Sequence, residues 1–188
     1  MRQFFTSALE VVEVACVALG AVFLIRTFLI QPFLVSGASM VPSFSNGDYL
    51  LVDELSYFFR TPERGEVIVF RYPKDESTYF IKRVIGLPGD QVGVRDGKVR
   101  IVNADHPEGM VLDEHYLPPQ TPTAIRPGGQ TDFTLGAEQF LVFGDNRSYS
   151  FDSRDWGPLE RKEIVGVVRM RLWPANVFTV FAAPHYGN

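Results

Sequence analysis

A serine hydroxyl becomes a nucleophile when a neighbouring base takes its proton, so the informative residues are serines in open settings and side chains able to act as that base. In Val35-Ser36-Gly37-Ala38-Ser39-Met40-Val41-Pro42-Ser43-Phe44, small residues surround Ser39 and a proline follows. Gly37 and Ala38 let a substrate backbone come close, and Met40 and Phe44 offer apolar surface for a shallow pocket. Taken alone the stretch is an ordinary turn, and it is not the G-x-S-x-G elbow of an α/β-hydrolase.

The base is not an evident histidine. His106 and His115 lie in a Pro-rich stretch, His185 is three residues from the C-terminus, and their spacing is not that of metal ligands. Lys82, in Tyr79-Phe80-Ile81-Lys82-Arg83-Val84-Ile85, has a different setting. Strand alternation places it on one face with Phe80 and Val84, while Arg83 points the other way. A free lysine titrates near about 10.4, and lowering it by about 3 units costs the ammonium form roughly 4 kcal/mol, which burial among apolar side chains supplies. By itself a strand lysine reads as an exposed edge residue.

The third stretch is Gly144-Asp145-Asn146-Arg147-Ser148-Tyr149-Ser150-Phe151-Asp152-Ser153-Arg154-Asp155-Trp156-Gly157, a polar run after the apolar Gln139 to Phe143. If extended, it presents Ser150, Asp152 and Arg154 on one face, a hydroxyl beside a carboxylate–guanidinium pair. The alternative is a solvated turn.

These residues need a scaffold, and the pattern after Gln31-Pro32 is one of short apolar runs separated by Gly, Pro, Asp and Asn. Strands are predicted at Tyr49 to Asp53, Val67 to Arg71, Tyr79 to Ile85, Gln91 to Val94, Lys98 to Val102, Gln139 to Phe143 and Ile164 to Leu172. Asp96-Gly97 between two of them is a two-residue hairpin turn, whose positive φ glycine supplies without steric cost. Asn103 to Thr131 shows no sustained apolar period and reads as an insertion loop.

Before this domain, Leu9 to Ile30 is 22 residues long, enough at about 1.5 Å per residue to cross a hydrocarbon core of roughly 30 Å as a helix. Glu10, Glu13 and Arg26 sit near its ends, and Val14 to Ile25 is uninterrupted. A cleavable signal peptide competes, since Ser36-Gly37-Ala38 is a small-x-small pattern, but one Arg and two Glu before the apolar run, and Ser39 directly after that point, favour an uncleaved anchor. Charge leaves its orientation open. Cys16 lies inside the span and reads as a packed thiol rather than a lipid attachment point.

Composition excludes other classes. At 188 residues, 46% hydrophobic and 21% charged, the chain fits one globular core rather than a disordered segment. A net charge of −4 with scattered Lys and Arg gives no footprint for a phosphate backbone, so nucleic acid is not an expected partner. One cysteine forms no intrachain disulfide.

Together SGASMVPSF, NGDYLLV, YFIKRVIGLPGD and GDNRSYSFDSRDWG resemble the motifs of bacterial type I signal peptidases, in the family's order and across most of the chain after the span. The resemblance implies a mainly β fold, with an N-terminal transmembrane helix (residues 1–32) followed by an antiparallel catalytic domain of the signal-peptidase type (33–188) carrying the insertion at about 103–131. It implies Ser39 as nucleophile, Lys82 as general base, Ser150 hydrogen-bonding the Lys82 amine, and Asp145, Asp152 and Arg154 as supports. Pockets for small residues one and three positions before the cut would be lined by Phe33, Val35, Met40, Phe44, Phe80 and Ile81. No metal or organic cofactor is implied. The partners are signal peptides of secretory precursors and membrane lipid, with a single-pass protein of the cytoplasmic membrane whose catalytic domain faces outward.

Gly37 departs from members that carry a serine two positions before the nucleophile to aid the oxyanion hole. Tyr57-Phe58-Phe59 and Val177-Phe178-Thr179-Val180-Phe181 fit either the membrane interface or the core. Competing functions are a membrane-anchored β-domain that binds or scaffolds proteins, and a related Ser/Lys peptidase with a dedicated partner substrate.

Overall fold

The computed structural model describes residues 10–20 and 30–182. Residues 10–20 are helical, with Val11, Val12, Val14, Val17 and Leu19 all exposed. Among the described residues no helix is long and apolar enough to cross a membrane, and much of the expected anchor lies outside the described residues.

The domain is mainly β and antiparallel. One sheet runs in the order β1 (Ile30–Leu34), β2 (Tyr49–Asp53), β11 (Ile164–Trp173), β3 (Val67–Tyr72), β4 (Asp75–Gly86), β9 (Gln139–Phe143), β10 (Leu159–Glu160), with β12 (Thr179–Val180) paired to β11. A smaller sheet orders β7 (Met110–Val111), β6 (Lys98–Val102), β5 (Gln91–Arg95) and β8 (Asp132–Thr134). All seven predicted strands form, and the β5–β6 hairpin turns at Asp96 and Gly97, with φ of 52° and 74°.

β1 is not among the predicted strands because Pro32 removes a ladder donor. It is tolerated because β1 is an edge strand, pairing only with β2 among the described residues. β4 begins earlier than its apolar pattern, since residues 75–77 are polar and exposed. β7, at two residues, and β8, at three, are too short to show a period.

β3 is buried on both faces, so its alternate residues enter two cores. Val67 and Val69 pack with Val35, Met40, Phe44, Leu50, Val52 and Val168. Ile68 and Phe70 pack with Val84, Phe140, Val142 and Leu159. A third cluster joins the small sheet to the end of β4 and to β9 through Ile85, Ile101, Phe133, Leu141 and Phe143. Between these cores β4 is paired on one side with β3 from Tyr79 to Arg83, but with β9 on the other only from Arg83 to Gly86. Residues 79–82 therefore have an open strand edge among the described residues.

Met40 and Phe44, expected to line a pocket, are 1% exposed and belong to the first core. The turn bearing Ser39 directs Met40 inward, and Phe44 packs against Phe181 with ring centroids 4.7 Å apart. Replacement of Phe44 by alanine should therefore cost about 3–5 kcal/mol in a urea unfolding titration, the usual cost of emptying a buried phenylalanine site. A loss under about 1 kcal/mol would show that Phe44 is not a core anchor.

Candidate active site

Ser39 sits on a loop closed at its base by two backbone bonds, Val35 N–H to the Asp48 carbonyl and Gly47 N–H to the Val35 carbonyl, both 2.9 Å. Asparagines fix the rest. Gly37 N–H donates to Asn46 Oδ1 at 2.9 Å, and Asn146 donates through its backbone N–H to the Ser39 carbonyl and through Nδ2 to the Ala38 carbonyl, each at 3.0 Å. Gly37 has φ +99°, a conformation that side chains rarely adopt, and its N–H is already engaged. Ser39 N–H meets no acceptor among the described residues.

Lys82 reaches this loop from β4. Its Nζ lies 2.8 Å from Ser39 Oγ, donates to the Ile81 carbonyl at 2.8 Å, and stands 5.2 Å from the centre of the Phe80 ring. The residue is 3% exposed, in the apolar setting that strand alternation predicts.

The polar run is not extended. Asp152 caps a helical turn, Ser153–Trp156, by accepting from Arg154 N–H, while Asp155 accepts from Asp152 N–H. Arg154 then curls back onto Asp152, with Nε and Nη2 at 2.8 and 2.7 Å from its two oxygens. This reciprocal capping box, not a shared strand face, brings the carboxylate and guanidinium together. Ser150 is fully buried, but no hydrogen bond joins its hydroxyl to Lys82; that amine is directed at Ser39 and Ile81 instead. Gly144 explains the closeness of the segment to the serine loop: a Cβ there would fall 2.1 Å from Ser150 Oγ and 2.4 Å from the Ser39 carbonyl oxygen.

Asp145 is paired with Arg83, the residue after Lys82, through Nε at 2.9 Å and Nη2 at 2.6 Å. Arg83, Asn46, Asn146 and Arg147 all lie inside the motif stretches, yet their polarity alone gives no sign of which atoms they hold.

Beside the pair opens a cleft of about 330 Å³. Phe33, Val35, Phe80 and Ile81 line it, joined by Leu50, Val69, Tyr79, Tyr149 and Phe151. Among the described residues no cluster of three His, Cys, Asp or Glu side chains could hold a metal ion.

The family model described as signal peptidase, peptidase S26, matches residues 8–173. The chain belongs to the signal peptidase family. Signal peptidase I of Leptolyngbya laminosa is 39% identical over 160 residues, covering 81% of this chain and 73% of that one. Signal peptidase I of Bacillus caldolyticus is 36% identical over 171 residues, with coverages of 86% and 90%. A crystal structure of a signal peptidase I from Enterococcus faecalis has a TM-score of 0.45 and 29% identity, covering 57% of this chain and 97% of that one. The protein is a serine endopeptidase, and hence a hydrolase.

The peptidase holds its lysine in an unusual state. Burial pulls the Lys82 pKa from 10.5 down to about 8, against the upward pull of Asp152 and Asp145 and with a smaller downward push from Arg154. Burial pushes the Asp152 carboxyl up, but hydrogen bonding and charge from Arg154, with the Gly144 N–H, hold it below the usual carboxylate value.

Because the folded pKa of Lys82 lies below its unfolded value, its charged form is a burden on the fold. The penalty is complete below about pH 8, fades as pH rises from 8 to 10.5, and is absent above that. Lys82→Met should thus stabilise the peptidase by an amount on the order of 3 kcal/mol near pH 7, less the lost hydrogen bonds, with the advantage vanishing by pH 10.5. Chemical denaturation across pH 6–10.5 checks this, and a pH-independent difference would contradict it.

Proposed function

We propose that the peptidase removes signal peptides from secreted precursors at a membrane surface, with Ser39 as nucleophile and Lys82 as general base. The observation that carries this reading is the 2.8 Å approach of Lys82 Nζ to Ser39 Oγ, with the amine's pKa brought down to about 8. A lysine in that range is neutral in a useful fraction of molecules near neutral pH, and its lone pair can accept the serine proton.

The Ser39 alkoxide attacks the scissile carbonyl as Lys82 takes the proton, and the resulting ammonium returns it to the departing amine. Water, deprotonated by the same lysine, then attacks the acyl-enzyme ester and frees Ser39. Ser39 N–H, unengaged by the described residues, is a donor for the developing oxyanion. Asp145, Asp152 and Arg154 act on the amine through their charge and Ser150 packs against Gly144, none of them reacting.

An extended peptide can add to the open edge of β4 at residues 79–82, which would set its carbonyl beside Ser39 and its alternate side chains in the apolar cleft. Phe33, Val35, Phe80 and Ile81 leave limited room there, which fits small residues one and three positions before the cut.

Membrane attachment follows from the apolar span, with the catalytic domain on the outer side of the cytoplasmic membrane. The exposed Phe58 and Phe59, and Phe178 and Val180 elsewhere, suit a lipid interface, whereas Tyr57 and Phe181 pack into the cores.

Ser39→Ala and Lys82→Ala should each lower cleavage of a purified precursor in detergent by about three orders of magnitude or more, with circular dichroism unchanged. Ser150→Ala should lose less, because it removes neither nucleophile nor base. The wild-type rate should rise with pH to a plateau above about pH 8 as Lys82 deprotonates. Full activity in either alanine variant of the pair would overturn the assignment.

A further inference from the structure

Residues 103–131 give no side chain to the cleft, yet the side chains of Glu114, Tyr116 and Thr123 reach the arginines that flank it. The Arg147 side chain is completely buried. Its Nη1 donates to Glu114 Oε2 at 2.8 Å and to Thr123 Oγ1, and its Nη2 donates to Glu114 Oε1 and, at 3.2 Å, to the Tyr116 hydroxyl. That hydroxyl in turn donates to Glu114 Oε1 at 2.8 Å. On its other side the Tyr116 ring lies over the guanidinium of Arg83, whose Cζ is 4.0 Å from the ring centre.

Both arginines lead directly to the reacting groups. Arg83 follows Lys82 in β4 and grips Asp145. Arg147 Nε donates at 3.1 Å to the carbonyl of Gly144, the residue wedged between Ser150 and the Ser39 carbonyl. There is no slack at Gly144, so a shift of the Arg147 fork is passed on to Ser150 and to the Ser39 loop.

We infer that Glu114 and Tyr116 are positioning residues for the Ser39–Lys82 pair, Glu114 acting through Arg147 and Gly144, and Tyr116 through Arg83. The inference rests on the Ser/Lys assignment above. A planar guanidinium donates in fixed directions, so a matched carboxylate sets its orientation where water or a looser acceptor would not. The inserted segment thereby completes the active site without touching substrate.

The competing account is a brace that only stabilises the fold, and a buried ion pair offers a way to separate the two. Loss of one partner leaves an uncompensated charge, whereas replacing both with apolar groups restores stability. The test measures kcat, KM, the pH–rate profile and the melting temperature with a precursor substrate for Glu114→Gln, Tyr116→Phe, Tyr116→Leu and the paired Glu114→Leu/Arg147→Met protein, with Ser39→Ala as control.

Glu114→Gln should lower kcat about ten- to a hundredfold with KM changed less than about twofold. The ascending pH limb should also move, because Asp145, Asp152 and Arg154, the charged groups that act on Lys82, shift with the segment. Tyr116→Phe keeps the ring over Arg83 and should lose less than Tyr116→Leu. The paired variant should recover the wild-type melting temperature but not the rate.

Wild-type kcat and pH limb in the paired variant, or in Glu114→Gln at a temperature where it is folded, would overturn the inference. If the paired protein does not fold, Glu114→Gln and Tyr116→Phe decide the matter alone. An inactive Ser39→Ala control keeps that outcome separate from the Ser/Lys assignment, while an active one would remove both.

Discussion

Everything in this site depends on an amine held 2.8 Å from a serine hydroxyl, with its pKa brought from 10.5 down to about 8. Burial is the first condition, and Lys82 meets it at 3% exposure between β3 and the serine loop. The second condition is electrostatic. Asp145 and Asp152 lie near enough to draw the amine toward its charged form, which would leave a good counter-ion and a poor base. Each of them instead has its own guanidinium, Arg83 and Arg154, in two-point contact. Arginine does not deprotonate in proteins, so this pairing persists at every pH at which the enzyme works, and burial outweighs the pull the carboxylates still exert on Lys82.

The fold delivers these groups by ending strands early. β9 leaves β4 at Arg83, and the chain continues from Phe143 into Gly144 and Asp145, directly beside the serine loop. The same departure leaves residues 79–82 with an edge unpaired among the described residues, which is where the proposed extended peptide would add. The serine loop, which has little secondary structure of its own, is fixed through asparagine side chains and the backbone bonds at its base.

Legibility in the sequence differs by residue. The β5–β6 hairpin is clear because its turn is encoded in two adjacent residues, and the setting of Lys82 follows from strand period alone. Met40 and Phe44 are core residues where a pocket is expected, because apolar side chains next to a nucleophile suit either place and only the path of the turn separates the two. Ser150, Asp152 and Arg154 read as one strand face because the short cap that folds them together carries no periodic signal. Glu114 and Tyr116 carry no signal at all. Their partners, Arg147 and Arg83, are 33 residues away in sequence on either side, and such pairing is a property of the folded chain.

The three arginines also bear on why the interior here is polar. A core of apolar residues in place of the ion pairs would neutralise Lys82 as well or better, and buried ion pairs are seldom a net gain in stability. Apolar packing has no directional preference, however, and cannot hold a loop carbonyl or a glycine backbone to a fraction of an ångström. Arg147 on Gly144, Arg154 on Asp152 and Arg83 on Asp145 each tie a backbone or cap to a fixed donor direction. The site therefore combines two requirements that conflict in a simple interior: low enough polarity around one nitrogen to strip its proton, and enough directed hydrogen bonding around it to keep that nitrogen on its target. Pairing each nearby carboxylate with an arginine serves both, because it supplies direction and leaves on Lys82 only an upward pull that burial outweighs.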